Sequence, residues 1–280
     1  MKYLVLGSSG FLGSYLGFAL ERAGHEVVGV SRSGSPHYKT SVTASLGEIP
    51  SAIARQAPDV VINAIARASH EACEERPREA IETNATLPGA WAYATAESGA
   101  KFVHISTDAV FDGIRDGLYR EDDQASPESL YGATKREGEI LVLERNPGAL
   151  VLRVNFFGWS KDSSKGILDF FVRSLNAGEK ITGFTDYIVS SLYVGDLVDA
   201  LVDLVNQKEA GVFHTVSSSP ASKYEFGLMV AEELGLSTEF LKPGLLSEAT
   251  ELAPRGHNLA LSVEKICSTL DRAMPSTLEG

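Results

Sequence analysis

The chain has 280 residues, of which 44% are hydrophobic, and a formal net charge of -12 at pH 7. This length suits one large α/β domain, or such a domain with a smaller appendage, while the acidic balance disfavours a nucleic-acid partner, whose phosphates require a basic surface. The sequence contains no apolar run of about 18 residues that could span a membrane. The two cysteines, Cys73 and Cys267, are far apart and suit a reducing compartment better than a zinc site or a disulfide. We therefore expect a cytoplasmic protein that holds no metal and binds no membrane.

The first predicted strand runs directly into a glycine loop. Residues 2–6 have the pattern of a short buried strand, and a Gly-x-x-Gly-x-x-Gly motif at 7–13 leads from it into helical spacing over 14–23. The first glycine allows a tight turn, the second lets the backbone approach a pyrophosphate, and the third lets the helix pack closely on the strand. This order of elements predicts dinucleotide binding. The predicted cofactor contacts here are Gly7, Gly10, Phe11, Leu12 and Gly13.

The end of the second predicted strand bears on the choice between NADP and NAD. The strand covers 25–30 and is followed by Ser31 and Arg32, with no carboxylate that could accept hydrogen bonds from an adenosine ribose 2′-hydroxyl. Arg32 suits a 2′-phosphate instead, because a guanidinium can pair with it. We therefore predict that Ser31 and Arg32 contact the cofactor and that NADP(H) is preferred. NAD(H) stays possible, since Arg32 could equally be solvated or stack on adenine.

Up to residue 158 the predicted strands and helices alternate. The later strands are continuous apolar runs, which are typical of parallel strands buried on both faces. This alternation predicts an α/β fold with a Rossmann-like, doubly wound parallel sheet, whose ligands lie at the carboxyl ends of the strands. The further strands are predicted at 59–63, 102–106 and 150–154, and the helices at 49–56, 77–98 and 130–145, with a short strand in the loop at 36–47.

Small and polar residues lie where a bound dinucleotide should pass. Ala64 and Ala66 leave the strand at 59–63 and permit a close approach of the ligand. Asn84 lies inside the long predicted helix, where we expect its amide to hold a water or a backbone group near the active site. Ser106 ends the next strand. These four residues are further predicted cofactor contacts.

A tyrosine and a lysine on the helix predicted at 130–145 form a candidate proton donor. Tyr131 and Lys135 are four residues apart, which places the phenol and the ammonium on one helix face. A free phenol titrates near ~10, and a fixed neighbouring cation lowers that pKa toward the working range. Thr107, at the carboxyl end of the strand before this helix, could direct a hydroxyl at the same substrate oxygen. We predict that these three residues are catalytic.

The second half of the chain has a more irregular pattern. A polar, serine-rich stretch at 160–165 marks the change, and the chain returns to an apolar pattern near 190–205. We predict a dinucleotide-binding domain at 1–158, rejoined by 184–207, and a smaller, mixed substrate-binding part. That part comprises 159–183 and 208–280, with a helix at 167–177, a strand at 212–216 and a helix at 223–234.

Several motifs together resemble a known superfamily. The glycine motif, Asn63-Ala64, Ser106-Thr107-Asp108 and Tyr131-x-x-x-Lys135 resemble the extended short-chain dehydrogenase/reductases in order and spacing. Longer stretches look like the dTDP-4-dehydrorhamnose reductase family, and the similarity covers nearly the whole chain. These stretches are Asp59-Val-Val-Ile-Asn-Ala, Cys73-Glu74-x-x-Pro77, His104-Ile-Ser-Thr-Asp-Ala-Val-Phe-Asp-Gly113, Tyr119-x-Glu121, Tyr131-Gly-x-Thr-Lys-x-x-Gly-Glu139 and Arg255-x-x-Asn258-x-x-Leu261.

This resemblance implies that NADPH reduces a carbonyl, commonly C4 of a nucleotide-linked 4-keto-6-deoxy sugar. Tyr131 would donate the proton, Lys135 would hold the cofactor ribose and lower the phenol pKa, and Thr107 would bond the same oxygen. Arg255 is expected near the diphosphate of the nucleotide sugar, in a Pro-Arg-Gly turn suited to presenting one side chain. The other substrate contacts implied are Asp108, Val110 and Phe156.

The chain departs from the pattern of that family near the expected sugar. Ala68 stands where a threonine is frequent, Arg67 occupies a neighbouring position that is usually uncharged, and Gly256 replaces a proline. Phe156 and Phe157 fill a region where the family has a tryptophan. The sugar therefore stays open, and so do two alternatives: an epimerase or dehydratase on the same scaffold, and a non-catalytic subunit resembling the partner of methionine adenosyltransferase. A homodimer is also possible.

Overall fold

The computed structural model describes residues 1–160 and 166–279, so the predicted polar stretch at 160–165 lies, except for Ser160, outside the described residues. The chain divides into two compact units, which we call the sheet unit and the mixed unit. The predicted division into a dinucleotide-binding domain and a substrate-binding part concerns function and stays a prediction. The sheet unit consists of Met1–Thr107, Leu130–Arg153 and Val198–Phe213, and the mixed unit of Asp108–Ser129, Val154–Leu197 and His214–Gly280.

Strands and helices alternate through the first half of the chain, as predicted. The strands are β1 (Lys2–Leu6), β2 (Glu26–Ser31), β3 (Thr40–Thr43), β4 (Val60–Asn63), β5 (Lys101–Thr107), β6 (Leu150–Val154), β7 (Phe156–Phe157), β8 (Ile181–Phe184), β9 (Ile188–Val189), β10 (Leu192–Tyr193), β11 (Gly211–Thr215), β12 (Ala221–Ser222), β13 (Leu241–Gly244) and β14 (Asn258–Leu259). The helices are α1 (Phe11–Arg22), α2 (Ile49–Gln56), α3 (His70–Glu75), α4 (Pro77–Ile81), α5 (Leu87–Glu97), α6 (Leu130–Arg145), α7 (Ile167–Ala177), α8 (Val194–Asn206), α9 (Lys223–Glu233) and α10 (Glu264–Leu270).

The main sheet has seven strands in the order β11-β6-β5-β4-β1-β2-β3. β1 pairs in parallel with β2 on one side and with β4 on the other, so that Tyr3 lies between Val27 and Val60. From β3 to β6 this is the strand order of a Rossmann-like, doubly wound sheet, in which the order reverses between β1 and β4. The predicted fold class is confirmed. Ligands of such sheets bind outside the carboxyl ends of the strands at this reversal.

One apolar core covers a face of this sheet. Leu4 and Leu6 of β1 face it, while the alternating Tyr3 and Val5 face the opposite side. Trp91 of α5 is completely buried in this core and donates its indole N–H to the carbonyl of Leu46 at 3.3 Å. The other buried members are Val28, Val30, Ala44, Ile49, Ile53, Val61, Ala92, Phe102, Val142, Ala149 and Val151, which come from β2, β4, β5, β6, α2, α5, α6 and the adjoining loops.

Two predicted helices differ from their patterns in detail. Helix α1 begins at Phe11 rather than at residue 14, because Gly10, in an extended conformation, already serves as its N-cap. The helix predicted at 77–98 contains a π-helical turn at Glu82–Thr86, between α4 and α5. This turn brings the carbonyl of Asn84 against Gly138 of α6, where a Cβ would overlap the oxygen. Glycine at 138 therefore permits the close packing of the two helices.

The mixed unit contains short strands and helices around its own core. β7 pairs in parallel with β10, β9 pairs with both β12 and β14, and β8 pairs in parallel with β13. α7 and α9 supply most of the apolar side chains. The buried members of this core are Phe157, Leu168, Phe171, Leu175, Phe226, Val230, Ala231 and Leu241. None of the helices in the described part of the chain combines the length and the apolar character that a bilayer span requires.

A buried ion cluster joins α6 to the sheet. Glu139 of α6 accepts two hydrogen bonds from Arg153 of β6, from Nε at 3.0 Å and from Nη2 at 2.9 Å. It also accepts bonds from the Ser106 hydroxyl of β5 at 2.6 Å and from Arg136 at 2.8 Å. Burial alone would raise the pKa of Glu139, but the charge and hydrogen bonds of Arg153 hold it below its usual range. The carboxylate thus stays charged and fixes α6 to two strands.

Replacing Glu139 by glutamine should destabilise the protein strongly. Arg153 would then be a buried cation without its carboxylate, and breaking a buried pair in this way costs about 3–5 kcal/mol. Glu137→Gln is the matched control, because Glu137 is exposed on the same helix and should change the stability by only about 0.5 kcal/mol. Equilibrium unfolding in urea measures both, and equal midpoints for the two variants would contradict the role of the cluster.

Candidate active site

The glycine loop forms a cradle at the start of α1. Gly7 has a positive φ of 85°, and its amide and that of Ser8 both donate to the carbonyl of Val30 at the end of β2. A Cβ at Gly13 would overlap the carbonyl oxygen of Gly7, so only glycine allows α1 to lie this close to the loop. The N-cap of α1 is Gly10, a residue without a side chain that could cap the helix. The helix N-terminus therefore suits an anionic group that accepts hydrogen bonds from the backbone.

A cleft of about 410 Å³ opens beside this loop at the point where the strand order reverses. It brings together six of the predicted cofactor contacts from the ends of β1, β2 and β4. It also includes Arg67 and Thr83, which sequence reasoning did not assign to the cofactor, because both come close only through the path of the chain after β4. The lining residues are Gly7, Ser9, Gly10, Val30, Ser31, Arg32, Ala44, Leu46, Ile49, Ala64, Ile65, Ala66, Arg67 and Thr83.

Ser31, the last residue of β2, and Arg32, which follows it, have different contacts. The Ser31 hydroxyl accepts a bond from Ser35 at 3.2 Å, and Ser35 in turn contacts the hydroxyl of buried Ser8. These serine hydroxyls connect the end of β2 to the glycine loop, which contains Ser8. Arg32 is exposed at the rim of the cleft, and within residues 1–160 and 166–279 no carboxylate forms a salt bridge with it. Its guanidinium can therefore pair with a ligand anion.

The remaining predicted cofactor contacts lie outside the cleft lining. Leu12 and Gly13 are buried in the first turn of α1, and Phe11 is partly buried beside them. Ser106 is buried and donates its hydroxyl to Glu139, so this side chain serves the ion cluster.

Asn84 organises the segment that follows β4. It is buried in the π-helical turn, and its Oδ1 accepts the amide of Arg67 at 2.9 Å while its Nδ2 donates to the carbonyl of the same residue at 3.1 Å. Its Nδ2 also bonds the hydroxyl of Thr134 on α6 at 3.1 Å. The amide thus holds a backbone group of the cleft wall and joins it to the helix of Tyr131. Arg67 extends further to form a salt bridge with Glu79.

The candidate catalytic residues all belong to the sheet unit. Thr107 is buried at the carboxyl end of β5, and Tyr131 and Lys135 lie one turn apart on α6. Tyr131 is partly exposed, and its ring centroid lies 5.0 Å from that of His70. His70 carried no signal in the sequence, since a lone histidine after a strand is compatible with many roles.

Lys135 is completely buried despite its charge. Its Nζ donates to the carbonyl of Ile105 at 2.6 Å and lies 3.4 Å from Nε2 of buried His104. Burial lowers the pKa of Lys135 to about 8, although the charge of Glu139 opposes the shift. A lysine with this pKa changes its charge near neutral pH and can influence a neighbouring phenol in the same range.

The predicted substrate contacts belong to the mixed unit. Asp108 is buried and accepts a hydrogen bond from Asn155 at 2.7 Å, Val110 is completely buried, and Phe156 is partly exposed in β7. Arg255 is partly exposed, and its Nε donates to the carbonyl of Ala253 at 3.0 Å.

Two further features of the mixed unit, the contacts around Gly256 and those of Lys223, could not be predicted from the sequence. A Cβ at Gly256 would lie 2.6 Å from the carbonyl oxygen of Asp112, so glycine is required where the resembling family has proline. Lys223 lies 5.4 Å from the Tyr187 ring centroid. Burial lowers the pKa of Lys223 to about 8, although the charge of Asp108 opposes this.

Comparison with known proteins identifies similar chains over the full length. A family model described as the RmlD substrate binding domain matches residues 1–277. The chain is 30% identical over 286 residues to the probable low-salt glycan biosynthesis reductase Agl14 of Haloferax volcanii, with 100% of this chain and 95% of that protein covered. It is 31% identical over 269 residues to the dTDP-4-dehydrorhamnose reductase of Mycolicibacterium smegmatis, with 94% and 79% covered.

A solved structure shows the same fold. The dTDP-4-dehydrorhamnose reductase of Bacillus anthracis, in complex with NADP, matches with a TM-score of 0.89 and 22% sequence identity, with 99% of this chain and 96% of that chain covered. The likeness extends over both compact units and supports the Rossmann-like class.

Lys135→Met should stabilise the protein at neutral pH. Methionine has a similar length and carries no charge, so the cost of burying an ammonium disappears; a pKa depressed by about two units corresponds to about 3 kcal/mol. Because the folded pKa of about 8 lies below the unfolded value near ~10.4, the wild-type protein should gain stability as pH rises between these values. The advantage of the variant should therefore shrink from pH 8 to pH 10.

Urea unfolding of both proteins across this pH range measures the difference, in which the contributions of Lys223 and the other titrating groups cancel. A constant difference from pH 7 to pH 10 would show that Lys135 has an ordinary pKa.

Proposed function

The chain belongs to the RmlD substrate binding domain family, and from this premise we propose that it is an NADPH-dependent reductase of a carbonyl on a nucleotide-linked sugar, in particular a 4-keto-6-deoxy sugar. One observation carries the proposal. Tyr131 and Lys135 lie one turn apart on α6, the helix that follows β5. Thr107 lies at the carboxyl end of β5, and the glycine cradle lies at the same edge of the parallel sheet. An acid, a cation and a hydroxyl at this edge suit carbonyl reduction.

The cradle fits a dinucleotide on structural grounds. The space at Gly13 excludes any Cβ, the N-cap of α1 is a glycine, and Arg32 offers a guanidinium at the cleft rim. We propose that the residues predicted above hold NADPH, with its diphosphate at the N-terminus of α1 and its 2′-phosphate at Arg32. The NADP complex of the Bacillus anthracis neighbour supports this choice, and NAD stays possible. When bound, the cofactor supplies the hydride.

The residues of the chain supply the proton and the orientation. Tyr131 donates its phenolic proton to the carbonyl oxygen, and Thr107 donates a hydrogen bond to the same oxygen. Lys135 stabilises the phenolate that forms on Tyr131, because its charged form lies on the same helix face one turn away. The buried bond from Lys135 to the Ile105 carbonyl fixes its amine in this place.

The relatives support the substrate class. Agl14 is named as a glycan biosynthesis reductase and the mycobacterial relative as a dTDP-4-dehydrorhamnose reductase. We propose that Asp108, Val110, Phe156 and Arg255 contribute to the binding of the nucleotide sugar, with Arg255 at its diphosphate. We place the reaction in the cytoplasm, in line with the use of cysteine, and the possible homodimer stays a prediction.

Incubation of the protein with NADPH and a panel of nucleotide-linked keto sugars tests the proposal. A reductase consumes NADPH in proportion to product. An epimerase or dehydratase would convert a nucleotide sugar without net consumption, and a non-catalytic subunit would bind NADPH without turnover. Either of these results would overturn the assignment.

Tyr131→Phe should abolish most of the turnover while the protein still binds NADPH. The change removes only the phenolic hydroxyl, so kcat should fall by roughly 10²–10⁴. Tyr93→Phe is the matched control, because Tyr93 is 55% exposed on α5. Steady-state kinetics and NADPH titration separate the two effects. Unchanged turnover in Tyr131→Phe would exclude this residue as the acid.

Arg32→Ala should weaken NADPH binding much more than NADH binding. Only the 2′-phosphate loses a partner, and a charge-assisted hydrogen bond contributes about 1.5–3 kcal/mol, or about ten- to hundredfold in Kd. Arg22→Ala removes an exposed arginine of the same charge at the end of α1 and should leave both affinities within about twofold. Equal affinity of the parent protein for the two cofactors would contradict the prediction.

A further inference from the structure

A buried polar chain lies behind Lys135. The Asn63 side chain at the end of β4 contacts Nδ1 of His104 on β5 at 3.0 Å, and Nε2 of His104 lies 3.4 Å from Nζ of Lys135. All three side chains are at most 1% exposed. The amide, the imidazole and the amine therefore depend on protein partners for their hydrogen bonds rather than on bulk water.

The hydrogen bonds around Asn63 determine which imidazole nitrogen carries the proton. Its Oδ1 accepts the backbone amide of Ile65 at 3.0 Å, so Nδ2 is the atom directed at His104. Because Nδ2 can only donate, Nδ1 of His104 must accept, and the proton of the neutral ring lies on Nε2. This Nε2–H faces Lys135. An amine nitrogen can accept from it, whereas an ammonium would oppose it with another donor.

Burial is the main cause of the lowered pKa of Lys135, and the charged groups around this lysine act beside it. Glu139, one turn further along α6, is the carboxylate that favours the ammonium, but it is already bonded by Arg153 and Arg136. His70 faces the Tyr131 ring on the preceding turn. Burial and the charge of Lys135 both lower the pKa of His104 well below its ordinary range, so the ring is neutral.

The placement of His104 is unusual for a core position. On β5 it lies between Phe102 and Ser106 on the strand face that meets α6, and its ring stacks on that of Phe102 with an interplanar angle of 11°. A second aromatic ring would fill this space without a buried polar group. Ser106 contacts Glu139 on the same helix, so both polar residues of this face meet an ionisable side chain of α6.

We propose that His104 is a positioning residue whose Nε2–H, oriented by Asn63, favours the uncharged amine of Lys135 and so sets the pH at which this lysine gains and loses its charge. The inference rests on the proposed function, because Lys135 has a role there through Tyr131. His104 would thereby determine the pH range in which charged Lys135 assists the Tyr131 phenol.

The tautomer of His104 gives a direct test on the unmodified protein. Long-range proton–nitrogen correlation spectra of the protein labelled with ¹⁵N-histidine distinguish a protonated from an unprotonated ring nitrogen, and the His104 signals are identified by their loss in His104→Gln. We expect Nε2 to be protonated at pH 7. Protonation of Nδ1 instead would overturn the proposal. The tautomer itself is read from the wild-type protein, and the variant serves only to assign the His104 signals.

His104→Gln tests the effect on the lysine. The glutamine amide can turn its oxygen toward Lys135 and accept from the ammonium, so the pKa of Lys135 should rise by about one unit or more, a tenfold change in its protonation equilibrium. His214→Gln is the matched control, because His214 is equally buried but lies in the mixed unit. NMR titration of labelled lysine side chains follows the Lys135 signal. Equal values in the wild type and His104→Gln would refute the inference.

The pH profile of turnover separates this inference from the proposed function. With an active substrate, the alkaline limb of kcat should shift to higher pH in His104→Gln by the amount measured for Lys135, and should stay in place in His214→Gln. Absence of any reductase activity would count against the proposed function alone, since the two NMR measurements require no substrate. Activity with an unshifted limb and an unshifted Lys135 pKa would count against His104 alone.

Discussion

The buried pair of Glu139 and Arg153 is the constraint on which the candidate site depends. It joins α6 to β6 and, through Ser106, to β5, so the helix that bears Tyr131 and Lys135 cannot slide along the strand that bears Thr107. A buried ion pair contributes little net stability compared with an apolar contact of the same size, but it tolerates few alternative arrangements. In this protein the ion pair fixes the register of α6 against β5 and β6. A shift of α6 by one residue would leave two buried charges without partners.

Features that depend on local spacing could be predicted from the sequence. The glycine cradle, the Tyr131–Lys135 face and the alternation of strands and helices follow from residues close together in the chain, and the structure contains each of them. Features that depend on partners far away in the chain could not be predicted from the sequence. A single sequence does not reveal that the hydroxyl of Ser106, a predicted cofactor contact, donates a hydrogen bond to Glu139, thirty-three positions away. The π-helical turn around Asn84 has no signature in a single sequence, because it arises where the helix packs against Gly138.

The mixed unit shows how a departure from a family pattern can be a local structural requirement. The turn containing Arg255 packs on the loop after β5, where Gly113 has a positive φ of 73° and its carbonyl accepts the amide of Asn258 at 2.9 Å. Glycine at 256 allows this contact, because any side chain would meet the Asp112 carbonyl. The substitution of proline by glycine therefore reflects the backbone around Arg255. It carries no direct information about the sugar.

The glycine at 138 has a consequence for attempts to engineer the protein. Exchanging a mid-helix glycine for alanine is a standard way to raise thermal stability, worth about 1 kcal/mol, because alanine is the better helix former. Here the new methyl group would collide with the Asn84 carbonyl, so the usual gain turns into a loss. Together with Gly132, this residue lowers the intrinsic tendency of α6 to be helical. Stabilisation schemes that score helices by composition alone would therefore select the wrong position in the helix that bears the candidate acid.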